Sequence, residues 1–140
     1  MPQVQFTSNA SGAWANNASW LQDGAPASRT PTAADATTIV SPHTITSTGF
    51  TLDNAQGTLT IANGATLAVN GTIACSAGSI TNNGTINGPF GLTLSGGWFS
   101  NNGTLGAASV GSIAISGNST LVLSAGSTVS VSTITTTGYG

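Results

Sequence analysis

The chain has 140 residues, 39% of them hydrophobic and only 3% charged, with Arg29 the single strong base and Asp23, Asp35 and Asp53 the only acids. That length holds one domain. An ordinary domain is about 25% charged; a net charge of −2 leaves no cluster of Lys and Arg to neutralise phosphates or an anionic bilayer, so neither nucleic acid nor membrane is an expected partner.

A chain so rich in small polar residues raises the question of disorder, because such residues alone cannot offset chain entropy. Regularly spread Ile, Leu, Val and Thr argue instead for an ordered β protein. No apolar run approaches the ~20 residues that span a bilayer. Met1-Pro2-Gln3-Val4-Gln5-Phe6 lacks the basic start and apolar stretch of an export signal, so none is expected. Cys75 is the only cysteine; it cannot form an internal disulfide and, between Ala74 and Ser76, reads as a small buried filler.

In chain order, residues 1–48 form the first texture, an N-terminal cap or assembly segment holding Trp14, Trp20, Arg29 and His43. Trp14 and Trp20 are large apolar plates suited to covering the open end of a β stack. Asp35 follows Pro31-Thr32-Ala33-Ala34 and precedes a β-branched run, which predicts that its carboxylate accepts backbone N–H bonds in the turn. The phrase from Ser11 to Thr46, with Trp14, Asn17, Trp20, Gly24, Pro26, Pro31, Asp35, Ile39, Pro42 and His43 at its marked positions, resembles a module that opens β-helical surface proteins. Such modules begin autotransporter-like adhesins, secreted repeat proteins and some bacteriophage virion proteins. The resemblance covers roughly a quarter of the chain and implies β-helix architecture.

Residues 49–140 form the second texture, short alternating runs such as Leu59-Thr60-Ile61, Leu92-Thr93-Leu94 and Ile113-Ala114-Ile115, the period of strands with one buried face. Asn63-Gly64, Asn83-Gly84 and Asn102-Gly103 punctuate them at intervals of 20 and 19. Thr81-Asn82-Asn83-Gly84-Thr85-Ile86 returns as Ser100-Asn101-Asn102-Gly103-Thr104-Leu105, and Leu59–Val69 returns as Leu121–Val131, 62 positions on. Asn-Gly pairs also suit tight hairpins, but hairpins need no register, whereas stacked coils of ~20 residues do. The expected fold is therefore all-β: a short parallel β-solenoid of about four coils behind an N-terminal cap. An antiparallel β-sandwich or barrel is the alternative. Thr, Ser and Asn suit the outward positions, where they form ladders without charge repulsion.

Little in the chain points to chemistry. His43 has no second His, Cys or Glu near it in sequence for a metal, and no serine sits in a Gly-x-Ser-x-Gly elbow. The three aspartates all lie in or beside the cap, leaving the repeats without a glycosidase pair. The expectation is a non-enzyme with no metal and no cofactor, whose functional residues are capping or interface residues: Trp14, Trp20, Asp35, Trp98 and Phe99. Trp98-Phe99 breaks the repeat with bulk, and two roles stay open for it, filling the core or anchoring a neighbouring subunit. Carbohydrate binding without hydrolysis would rest on Trp14, Trp20 and Trp98 as stacking platforms.

Sheet edges without charge are templates for further pairing, so a homo-oligomer is expected, a trimer first. Taken with the resemblance, this implies a structural protein of a bacteriophage virion: a capsid decoration or cement protein, or a spike or fibre component. It would touch other virion proteins such as the major capsid protein and assemble in the host cytoplasm. The alternative is a secreted or cell-surface adhesin or extracellular filament subunit.

Overall fold

The computed structural model describes residues 2–106, 112–129 and 133–137; Met1 and Val131 lie outside the described residues. The chain opens with β1 (Gln5–Ser8) and β2 (Gly12–Ala13), followed by the hairpin β3 (Trp20–Gln22) and β4 (Ala25–Pro26). Coils follow: β5 (Ala36–Ile39) with β6 (Thr44–Leu52), then β7 (Thr58–Ile61) with β8 (Thr66–Cys75). Next come β9 (Ser79–Asn82), β10 (Thr85–Asn87) and β11 (Phe90–Leu94), then β12 (Trp98–Asn101), β13 (Thr104–Leu105) and β14 (Ser112–Ser116). The last coil holds β15 (Thr120–Leu123), β16 (Thr128–Val129) and β17 (Thr133–Thr137).

Each coil crosses two sheets. The front sheet stacks β1, β5, β7, β9, β12 and β15 in parallel. The rear sheet has two arms, joined within the long strands β6 and β8 and separate in later coils, where β10, β13 and β16 form one arm and β11, β14 and β17 the other. Ile45 lies over Leu67, Ile86, Leu105 and Val129 in turn. The fold is thus a parallel β-solenoid of about four turns, not an antiparallel sandwich, and its first stacked coil begins at Ala36, with β1 already pairing parallel to it.

The alternation in sequence is what closes this core. Leu59, Ile80 and Phe99 form one inward column and Ile73, Leu92 and Ile113 another, every one of them buried. Each such side chain is worth about 1.5–3 kcal/mol on burial, which no single coil could collect alone. The residues between them face out; Thr44, Thr66, Thr85, Thr104 and Thr128 make an unbroken ladder up one arm. Glycines with positive φ turn the chain between the arms: Gly49 at 116°, Gly71 at 154°, Gly88 at 106° and Gly106 at 89°.

The register refines the period. Ile61 lies beside Asn82 and Thr66 beside Thr85, so a four-residue corner, Ala62 to Ala65, sits against the two-residue corner Asn83-Gly84. Asn63-Gly64 therefore does not lie over Asn83-Gly84. The 20-residue interval averages a step of 21, Leu59 to Ile80, and a step of 19, Leu67 to Ile86. Asn83 and Asn102 do align, Asn102 Nδ2 donating to Asn83 Oδ1 at 2.8 Å. The 62-residue echo is a true register: Leu59 and Leu121 share one column and Leu67 and Val129 another, three coils apart.

Candidate functional site: two unlike ends and an exposed tryptophan

At the N-terminal end the parallel stack stops. β3 pairs antiparallel with β1, and β4 antiparallel with β3, through a turn at Asp23 (φ 50°) and Gly24 (φ 83°). That geometry twists with the strands, and the outermost strand carries Pro26, which offers no N–H to a further strand. Trp20 is buried under this hairpin, its Nε1 donating to the Trp14 carbonyl at 2.9 Å. Trp14 meets Trp20 edge-on at 5.1 Å and lies flat on Phe50 of the first coil, 5.2 Å away at 5°. The two indoles thus roof the core where the coils begin.

Asp35 holds the roof down. Its buried carboxylate accepts Arg29 Nη1 at 2.6 Å and Nη2 at 2.8 Å, the Thr32 backbone N–H at 2.7 Å and the Thr32 hydroxyl at 2.8 Å. The same guanidinium lies 4.8 Å from the Phe6 ring centroid. Burial by itself raises the Asp35 pKa, but the hydrogen bonds from Arg29 and Thr32 together with the Arg29 charge outweigh it and hold the carboxyl below its usual range. A pKa depressed on folding adds stability above the unfolded value of about 3.9 and loses it as pH falls through the folded value. Thermal unfolding followed by circular dichroism is therefore expected to show a melting temperature that drops below about pH 4. In Asp35→Asn this part of the acid sensitivity disappears. Thr32 supplies the backbone N–H that the turn sequence anticipates; Arg29 was not anticipated, although the only base in a chain with a buried acid has few other places to go.

The C-terminal end is different. One coil below it, Phe99, Asn101, Leu105 and Ile113 are wholly buried. In the last coil Leu123 is 46% and Ile134 49% exposed. The outer edges of β15, β16 and β17 have no strand over them among the described residues, and no charged residue follows Asp53.

Trp98 and Phe99 split their two possible roles. Phe99 is buried in the core beside Ile80, whereas Trp98 points outward from the front sheet, 54% exposed, between Ser79 and Thr120. A concavity of about 450 Å³ lies at the bend of the rear sheet, with Trp14, Val69 and Pro89 on its walls.

Two contacts have no signature in the sequence. The buried Ser8 Oγ accepts the Val40 N–H at 2.9 Å and shares a hydrogen bond of 2.9 Å with His43 Nδ1. This ties β1 to the corner after β5. Cys75 is buried, its Sγ donating to the Ala77 carbonyl at 3.4 Å, and burial pushes its pKa up. Since only the thiolate reacts, the folded protein is expected to resist an aromatic disulfide reagent at about pH 8 and to react at once in guanidinium, as read by absorbance.

Among the described residues no group of three or more His, Cys, Asp or Glu gathers, and no helix is long and apolar enough to cross a membrane. Compared with models of protein families, with curated proteins and with solved structures, the chain matches none.

Proposed function

We propose that the chain is a non-enzymatic structural protein of a bacteriophage virion, a capsid decoration or cement protein or a spike or fibre component. It acts through self-assembly and through contacts with neighbours such as the major capsid protein. The observation that carries this reading is the inequality of the two ends: one is roofed by an antiparallel hairpin with Pro26 at its edge, whereas among the described residues the other leaves strand edges and Leu123 and Ile134 uncovered. Such edges add a partner's strands, and burying their apolar surface contributes about 25 cal/mol per Å². A face without charge meets its own copy without repulsion, which supports a homo-oligomer, and the proposed form is a trimer. In a cement role, bridging adjacent capsid subunits stabilises the assembled shell by mass action.

Two details support a role without catalysis and a cytoplasmic assembly site. Asp35 is locked by Arg29, and Asp23 Oδ1 accepts the Gln5 N–H at 2.9 Å; the unpaired Cys75 suits a reducing compartment. The test is mass spectrometry of purified virions against host surface fractions, with light scattering on the isolated protein. Recovery in constant ratio to the major capsid protein, and a trimer mass, are expected. Recovery in surface fractions alone would replace the reading with an adhesin, and a clean monomer at micromolar concentration would remove the trimer.

A further inference from the structure

Trp98 stands where every neighbour is small. Its column up the front sheet runs Ala36, Thr58, Ser79, Trp98, Thr120, and the adjoining outward column runs Thr38, Thr60, Thr81, Ser100, Val122. Strand spacing puts these hydroxyls about 4.8 Å apart along the solenoid and about 6.6 Å apart across it. The indole rises from this flat field and forms one wall of a depression of about 200 Å³ whose other walls are Ser79, Ile80, Thr81 and Ser100. Among the described residues, no ionisable side chain stands in these two columns.

We propose that this face binds an uncharged polysaccharide, one sugar ring lying against Trp98 and its hydroxyls bonding Ser79, Thr81 and Ser100. The chemistry of this face matches that ligand in three respects. A sugar ring presents an apolar C–H face that an aromatic plate covers, and among the described residues the indole is the one large aromatic surface this sheet exposes. Its equatorial hydroxyls need partners that both donate and accept, which Ser and Thr do. An uncharged ligand asks for no Lys, Arg or carboxylate, and the described residues of these columns offer none. A protein partner would fit less well, because interface anchors sit within an apolar surround that excludes water, and the outward neighbours of Trp98 are hydroxyl-bearing residues apart from Val122. Of the other two tryptophans, Trp20 is buried and Trp14 has one face spent on Phe50, so neither offers the same platform. The inference is independent of the virion reading, since a surface protein of any origin could use such a face.

The test is affinity electrophoresis of the full chain in native gels containing neutral polysaccharides (β-glucan, mannan, galactomannan, xyloglucan), with alginate as the polyanionic control. Retardation by at least one neutral polymer is expected, with a Kd about tenfold weaker in Trp98→Ala and partly kept in Trp98→Tyr. Ser100→Ala and Thr81→Val should weaken it by smaller factors. Because Trp98 is exposed, the variants keep the fold, and their circular dichroism and melting temperature check this. Absence of retardation in every neutral gel overturns the proposal, as does equal retardation of Trp98→Ala or a preference for alginate. A Trp98→Ala protein that loses its oligomeric mass in light scattering while the parent ignores all the sugars identifies the indole as a subunit contact instead. None of these outcomes bears on recovery of the chain from virions.

Discussion

Gly71→Ala is expected to remove about 3–5 kcal/mol of stability, a large part of what a domain of this size has. Gly71 sits at the bend between the arms of the rear sheet with φ 154°, and a Cβ there would lie 2.0 Å from the Thr48 carbonyl oxygen and 2.8 Å from its carbon. Both atoms belong to the backbone of the coil below, which cannot yield without breaking the ladder beside it. Gly88→Ala repeats the clash one coil on, 2.1 Å from the Val69 oxygen. Gly126→Ala separates the two causes: its φ is 83°, but nothing lies within 4 Å of the added carbon, so only the left-handed backbone penalty of about 1–2 kcal/mol applies. Urea unfolding of the three variants measures the difference. Equal losses at Gly71 and Gly126 would mean that stacking of one coil on the next does not set the tolerance of the bend.

Those bends show how far the sequence could be read. The alternation in Leu92-Thr93-Leu94 states both the strand and its buried face, and the echo between Leu59 and Leu121 states the register, because stacked coils repeat an inward side chain only where the one below repeats it. Corner length was harder. Asn63-Gly64 and Asn83-Gly84 are the same dipeptide, yet the first is the middle of a four-residue turn and the second is the whole corner. What differs is the residue at the strand end, Ile61 in one coil and Asn82 in the next, and no local pattern says that a side chain there decides the turn. The orientation of Trp98-Phe99 was present in the echo all the same. Aligning Ser100 with Thr81 places Phe99 on Ile80, which faces in, and so turns Trp98 out. Arg29 with Asp35, and Ser8 with His43, join segments brought together only by the roof and the first coil, and pairing of that kind leaves no periodic trace.

The second large effect is expected where those short corners are made. The column through the strand ends runs Ile39, Ile61, Asn82, Asn101, Leu123, so two amides replace aliphatic side chains in a row that is buried at every position but the last. Corners that follow Ile39, Ile61 and Leu123 have four residues and close on themselves, His43 N–H donating to the Val40 carbonyl at 2.9 Å, Ala65 N–H to Ala62 at 2.9 Å and Ser127 N–H to Ser124 at 3.1 Å. Two-residue corners have no room for that bond. The amide supplies it: Asn82 Oδ1 accepts the Gly84 N–H at 3.2 Å, while Asn82 Nδ2 donates to Asn101 Oδ1 at 2.7 Å and to the Thr104 carbonyl at 2.8 Å. Asn101 Nδ2 in turn donates to the Gly103 carbonyl at 3.2 Å. Asn82→Ile keeps the apolar character of the row below yet strands the Gly84 N–H and the Asn101 amide oxygen, each at about 1–3 kcal/mol. A loss of about 3–5 kcal/mol is expected in urea unfolding. Asn101→Leu loses a similar amount, and the double variant should lose less than the sum by about 1–2 kcal/mol, because the bond between the amides is broken only once. Additivity within about 0.5 kcal/mol would mean that each amide serves its own corner alone and that the vertical bond contributes nothing to holding the coils in register.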